Sequence, residues 1–425
     1  MSLGHAGLTP LSMVPRRATW LESRARAMVA DRLERLAEGR LTIAEPAGAR
    51  VFGPGRTGEP AATLVPHDPR FWAEVAFGGS LGAAESYVRG DWDTDDLTAL
   101  IRLLARQRGV LANVDGGMAR LRAPLATAFH RLHRNTRHGA QRNITAHYDL
   151  GNDFFALFLD PSLMYSCALF PRPEATLEEA SRHKLDVICR ALELQPGIDL
   201  VEIGTGWGGL GIHAAREYGA RVITTTISRE QHREAVARVH AAGLSDRVTV
   251  LQADYRDLPR GLAGRRFDRL VSIEMIEAVG AEYLGDYFEV LGRLLSPEGR
   301  GLVQAIVIRD QDEAAYRSTV DFIQRYIFPG GCLPSVRGMV EAVARRSQLR
   351  VAGLEDWTPH YALTLSHWRA RFHAQSGALD RMGFDATFRR LWHWYFCYCE
   401  AAFLERTCGL VHLHLAGPRA GTGAP

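Results

Sequence analysis

With 425 residues, 46% of them hydrophobic, the chain is too long for one ordinary core and well supplied for two, which excludes a disordered or fibrous protein. A net charge of +3 is mildly basic and by itself selects neither anionic lipid nor nucleic acid. Six cysteines without paired spacing argue against a disulfide framework and for a reducing compartment, and no run approaches the roughly 20 apolar residues that cross a bilayer. Because Met1 to Trp20 has no apolar stretch of the secretory kind, a cytoplasmic protein touching a membrane only from its inner face is expected. From Thr19 to Ala37, Leu21, Ala25, Met28, Val29, Leu33 and Leu36 recur at helical spacing before Gly39. Short strands are expected at 41–43, 50–52 and 62–65, broken by Gly and Pro as in hairpins, then helices at 69–76 and 82–89. Residues 1–107 are therefore read as a small N-terminal α+β accessory domain.

Residues 108–142 form a linker whose second half, Phe129 to Arg142, is crowded with Arg and His. Two readings stay open: a solvated connection, or a surface meeting phosphate head groups, where each basic side chain contributes about 1 kcal/mol. Nucleic acid is not expected, since no aromatic residues interleave the charge. From Leu185 onward strands alternate with helices at 200–203, 209–217, 221–227, 230–242, 248–252, 267–273, 283–295 and 301–308, the rhythm of a doubly wound, mostly parallel α/β sheet. A strand at 349–354 and a long aromatic helix at 388–404 follow. This second domain spans 143–415, and the Gly- and Pro-rich tail 416–425 is expected to be disordered.

Asp199-Leu-Val-Glu-Ile-Gly-Thr-Gly-Trp-Gly-Gly209 carries most information: a strand runs into glycines that let backbone close on a ligand at a helix start. Gly204, Gly206 and Gly209 satisfy G-x-G-x-x-G, so a nicotinamide dinucleotide is one reading. It would bring an acid at the end of the second strand, whereas Arg221 to Ser228 ends in hydroxyls and the third strand ends in Asp254, placed to accept from an exocyclic amine. An adenosine without pyrophosphate, as in S-adenosylmethionine, fits better.

Several segments resemble the cyclopropane-fatty-acyl-phospholipid synthase family, which includes the mycolic acid cyclopropane synthases. They are His147-Tyr-Asp-Leu-Gly-Asn-Asp-Phe-Phe155, Tyr165-Ser-Cys-Ala168, Glu202-Ile-Gly-Thr-Gly-Trp-Gly208, Ser272-Ile-Glu-Met-Ile-Glu-Ala-Val-Gly280, Phe328-Pro-Gly-Gly-Cys-Leu-Pro334 and Pro359-His-Tyr361, in family order over about residues 140 to 410. The resemblance implies a class I, Rossmann-like methyltransferase. It would transfer the S-adenosylmethionine methyl to a cis double bond of an unsaturated phospholipid acyl chain at the membrane surface, and a bound bicarbonate ion would deprotonate the resulting cation as a cyclopropane closes. A related enzyme giving a methyl-branched or methylene product is the nearest alternative, and a lipid-binding homologue without catalysis a further one. A homodimer is compatible with the sequence.

Carried over position by position, the resemblance implies a bicarbonate pocket of Cys167, Glu277, Gln304, Ile306 and Tyr361. The cofactor would meet Tyr165, Ser166, Gly204, Gly206, Thr226, Gln231, Asp254 and Tyr255. At Gln304 many members have His, so the role of an imidazole is expected to be absent here. Cys167 has no neighbouring His of an acyl-transfer motif, and Cys397, Cys399 and Cys408 with His393, His412 and His414 fit no zinc spacing, so no metal is expected. Phe154, Phe155, Leu157 and Phe158 are read as an apolar lid facing lipid, although the same spacing serves a buried helix equally well.

Overall fold

The computed structural model describes residues 16–107 and 150–421, together with Phe129, His133, Asn135, Thr136, Gly139, Ala140 and Asn143. Arg131, Arg134, Arg137 and Arg142 of the basic linker lie outside the described residues. The chain groups into two units, 1–128 with 319–322 and 365–407, and 129–318 with 323–364 and 408–425.

In the first unit, helix Trp20–Leu33 starts at a reciprocal Thr19–Glu22 capping box. Strands β1 (Arg40–Glu45), β2 (Gly48–Phe52), β3 (Ala61–Pro66) and β4 (Trp92–Thr94) form a sheet in the order β2-β1-β3-β4. Only β1 and β2 make the expected tight hairpin; β3 returns parallel to β1. The two helices read at 69–76 and 82–89 lie within Arg70–Arg89, divided at Gly79, whose φ of 60° and ψ of −145° are not helical. The aromatic helix Ala386–Leu404 belongs to this unit, against Arg70–Arg89 and Leu97–Arg106. Short strands enclose little apolar surface, and Trp392, Trp394 and Phe396 supply the missing core. The buried Arg390 fixes the helix, donating to the carbonyls of Tyr87 (2.6 Å) and Trp92 (2.7 Å) and pairing with Asp93, its guanidinium 4.0 Å above the Tyr87 ring. The accessory unit thus draws on the C-terminal region, beyond the 107-residue boundary read from sequence.

The second unit contains β5 (Asp199–Ile203), β6 (Arg221–Thr226), β7 (Val248–Gln252), β8 (Phe267–Ile273), β9 (Leu295–Ile308), β10 (Arg350–Asp356) and β11 (Cys408–Ala416), in the order β10-β11-β9-β8-β5-β6-β7. Neighbours from β7 to β9 are parallel, while β11 runs antiparallel to both β9 and β10. Val201, Phe267, Leu270, Phe288, Leu291 and Val303 are fully enclosed between sheet and helices. Winding proceeds outward through β6 and β7, then resumes beside β5 at β8. The C-terminal ends of β5 and β8 therefore flank a topological switch point, where open α/β sheets bind ligands. The tail is ordered at its start, contrary to the expectation of disorder from 416: Gly417 donates to Gly299 O (2.9 Å) and Arg419 to Pro297 O (2.8 Å).

Candidate active site

The loop leaving β5 has the shape its glycines foretell. Gly204, Gly206 and Gly208 have φ of +98°, +52° and +85°, and the amides of Gly204 and Thr205 both donate to Thr225 O, tying the loop to β6. A Cβ placed on Gly206 would meet no atom of the described residues within 4 Å, so the backbone there faces open space among them. At the end of β6, buried Thr226 donates to Gln231 Oε1 (2.9 Å) and accepts from the Ser228 amide. The Tyr165 ring lies 5.2 Å from that of Phe155 and 6.2 Å from that of Phe328. Ser166 accepts from Lys184 Nζ at 2.8 Å. Asp254 has a partner the sequence did not reveal: its carboxylate is bound bidentately by Arg256, at 2.9 and 2.6 Å, and caps the turn at Tyr255. The Tyr255 ring packs on that of Tyr287.

At the end of β8 the expected anion pocket holds a carboxylate of the chain itself. Cys167 N–H donates to Glu274 Oε1 (2.9 Å), the Gln304 amide donates to the same oxygen (2.6 Å), and the Tyr361 phenol donates to Oε2. The Ile306 N–H donates to Glu277 Oε1 at 2.6 Å. All four donors assigned to bicarbonate are therefore spent on Glu274 and Glu277, and the residues do not fit a separate bound bicarbonate. Sequence reasoning missed Glu274, although it sits in the quoted Ser272 to Gly280 stretch three residues before Glu277. Its φ of +47°, strained for a residue with a side chain, turns it inward off the strand end, and its amide is held by Gln304 O at 2.9 Å.

The two carboxylates differ in their surroundings. Burial pushes Glu277 up to about 8, aided by the charge of Glu274, and its Oε2 is enclosed without a hydrogen-bond partner among the described residues. Burial also raises Glu274, but Tyr361, Cys167 and Gln304 donate to it and the charge of Lys184 supports its ionised form. Below pH 8 Glu277 is thus mostly protonated, while on Glu274 the three donors and Lys184 oppose the rise that burial imposes. Lys184 is wholly buried, a cation that burial pushes down and that Glu274, Asp160 and Glu202 hold up. Burial pushes the Cys167 thiol well up, which leaves no thiolate for nucleophilic work.

An imidazole does reach the site, contrary to the expectation drawn from Gln304. His412 on β11 pairs directly across from Gln304 on β9, and its Nε2 lies 2.9 Å from Gln304 Oε1. His393 and Cys397, by contrast, lie on the aromatic helix of the other unit, and no group of three or more metal-binding side chains occurs among the described residues.

The lid reading is corrected. Phe154, Phe155 and Phe158 are each 0% exposed, closed into a cluster with Tyr165 and Trp207, whose indole donates to Asn152 Oδ1 (2.7 Å). These rings brace Tyr165 and the glycine loop instead of meeting lipid. Phe155→Ala is expected to destabilise the protein by about 3–5 kcal/mol, read as a lowered melting temperature and denaturant midpoint. An unchanged midpoint would contradict its place in the core.

A glycine loop after β5 and a carboxylate pair after its neighbour β8 are now in place. Residues 135–413 match the family model described as mycolic acid cyclopropane synthetase. The chain belongs to this family. It is 40% identical over 351 residues to the tuberculostearic acid methyltransferase UfaA1 of Mycobacterium tuberculosis, covering 81% of this chain and 80% of that protein. It is 36% identical over 356 residues to the cyclopropane-fatty-acyl-phospholipid synthase of Escherichia coli K12, covering 82% and 86%. Among solved structures it resembles mycolic acid cyclopropane synthase CmaA1 complexed with SAH and CTAB, at a TM-score of 0.60 and 31% identity over 65% of this chain and 98% of that one. The protein is an S-adenosylmethionine-dependent methyltransferase with the class I α/β fold.

Proposed function

We propose that this enzyme methylates the cis double bond of an unsaturated phospholipid acyl chain, and that Glu274 is the base that removes the final proton. The observation that carries the reading is the convergence of Cys167 N–H, Gln304 and Tyr361 on the Glu274 carboxylate. S-adenosylmethionine, when bound, supplies an electrophilic methyl group. Gly204 and Gly206 would underlie the adenosine, Thr226 and Gln231 would meet the ribose and methionine, Tyr165 and Ser166 the methionine end, and Asp254 and Tyr255 the adenine. Open space above Gly206 fits such a group. For docking, no described helix is long and apolar enough to cross a membrane, and an acyl chain of ordinary length carries roughly 12 kcal/mol of burial, so the reading has the enzyme meeting its substrate at the bilayer surface.

An alkene is a weak nucleophile, so the site's work is orientation and exclusion of water that would trap the cation. Methylation at one alkene carbon leaves the charge on its neighbour. Loss of a proton from the new methyl then closes a ring directly, or gives an exocyclic methylene if a hydride first shifts from the methylated carbon to the cationic one. We place the methylene-branched product first, a reading supported by the similarity to the tuberculostearic acid methyltransferase. The cyclopropane is the second outcome of the same cation, supported by the similarity to the Escherichia coli enzyme.

The test is incubation with methyl-labelled S-adenosylmethionine and vesicles of a monounsaturated phospholipid, followed by mass spectrometry and proton NMR of the released chains. The expected product gains one carbon and shows vinylidene protons. Upfield ring protons would assign a cyclopropane instead, and no incorporation of label would overturn the acyl substrate.

A further inference from the structure

A side-chain amide has two ends of nearly equal shape and opposite polarity, so the direction in which Gln304 faces has to be enforced by its neighbours. One end points at Glu274, with the amide nitrogen 2.6 Å from Oε1. Turned over, the amide would bring its own oxygen against that carboxylate. The other end points across the sheet to β11. His412 and Gln304 are direct partners in the antiparallel pair, both 0% exposed, and His412 Nε2 lies 2.9 Å from Gln304 Oε1.

We infer that His412 is a positioning residue for the catalytic base: by donating from Nε2 to Gln304 Oε1, it locks the amide so that its NH2 group faces Glu274. The inference rests on the reading of Glu274 as the base. Its tautomer follows from the surroundings. Burial pushes His412 down to about 3, so the ring is neutral and carries a single proton. Gln304 Oε1 can only accept, while Nδ1 has no hydrogen-bond partner among the described residues, the Glu355 carboxylate lying 3.8 Å away. The proton therefore belongs on Nε2. The opposite arrangement, with Gln304 donating to His412 and Nδ1 protonated, would oppose two acceptors at 2.6 Å and strand a buried donor. The chain of donation runs from His412 through Gln304 to Glu274. The chain thus sets its imidazole one strand away from position 304 and interposes an amide.

The experiment compares side chains that differ in where they carry a donor. His412→Phe keeps a ring without one. His412→Gln sets an amide nitrogen where Nε2 stood, and His412→Asn sets one where Nδ1 stood. With labelled S-adenosylmethionine and unsaturated phospholipid vesicles, His412→Phe and His412→Asn are expected to lower kcat about tenfold at unchanged cofactor affinity, and His412→Gln to recover most of it. The acidic limb of the kcat/KM profile should move up by about one pH unit in the first two, because Glu274 loses a donor to its charged form. The other groups facing it, Glu277, Tyr361, Cys167 and Lys184, are unchanged, as are Glu355 and His414 beside His412. Equal behaviour of the Gln and Asn variants, or an unshifted limb in His412→Phe, would overturn the positioning role. Glu274→Gln, measured alongside, separates the two readings. If it turns over like the parent, the base is wrongly assigned; if it is inactive while His412→Phe is normal, the positioning role alone has failed.

Discussion

Glu274→Gln is expected to lower turnover by about 10²- to 10⁴-fold, the range that a positioned general base contributes. The amide has the size of the carboxylate but cannot take a proton, and its NH2 group would face donors that now converge on an acceptor, the Cys167 N–H, the Gln304 amide and the Tyr361 phenol. Affinity for S-adenosylmethionine should stay within a few-fold of the parent, because the glycine loop, Thr226 and Gln231 sit at the ends of β5 and β6. Glu277→Gln gives the contrast. Glu277 is pushed up to about 8 and is mostly protonated at neutral pH, so a neutral amide resembles the form already present and the loss should be much smaller. Single-turnover kinetics with calorimetric cofactor binding check both. Comparable losses in the two variants would remove the distinction between base and protonated neighbour.

Gly206→Ala should separate cofactor binding from folding. Its φ of +52° adds about 1–2 kcal/mol of backbone strain for a residue with a Cβ, and the new methyl meets no atom of the described residues within 4 Å. The protein should therefore fold with a melting temperature lowered by only a few degrees. The methyl projects into the space assigned to the cofactor, and overlap there should weaken S-adenosylmethionine by about 10²-fold, equivalent to roughly 3 kcal/mol. Calorimetry and a thermal melt on the same preparation give the two numbers. Unchanged affinity would place the cofactor elsewhere.

Much of the second unit was legible because its strands and helices differ in period and are punctuated by glycine. β5 to β8 fall within a residue or two of where alternation and turn signals put them. The glycine loop was legible for the same local reason. β11 was not: its Cys408 to Ala416 run follows a long helix, and its histidines suggested ligands more readily than alternate positions of a strand. The makeup of the first unit was equally hidden, since the contacts that assign the aromatic helix to it, such as Thr98 with Glu400 and Arg390 with Asp93, join residues about 300 positions apart. Burial of Phe154, Phe155 and Phe158 could not be told from exposure by spacing alone, because a helix shows the same period towards lipid as towards its own core.

The active site shows the sharper limit. Of the positions carried over from the family resemblance for the anion pocket, Cys167, Gln304 and Tyr361 converge on Glu274, which the resemblance did not mark, and Ile306 holds Glu277. Nothing local in Ser272-Ile-Glu274-Met-Ile-Glu277 says that the first glutamate turns inward through a left-handed residue while the second keeps an oxygen without a hydrogen-bond partner among the described residues. The same holds for His412, whose meaning depends on its register opposite Gln304. Both are properties of strand pairing and strand ends, set by tertiary contacts.

Turnover in buffer stripped of carbon dioxide, measured against a bicarbonate titration, tests most directly whether the base is built into the chain. With Glu274 holding the donors, the rate on unsaturated phospholipid vesicles should be the same in stripped buffer and across the titration. A rate that collapses on stripping and is restored by added bicarbonate would contradict it.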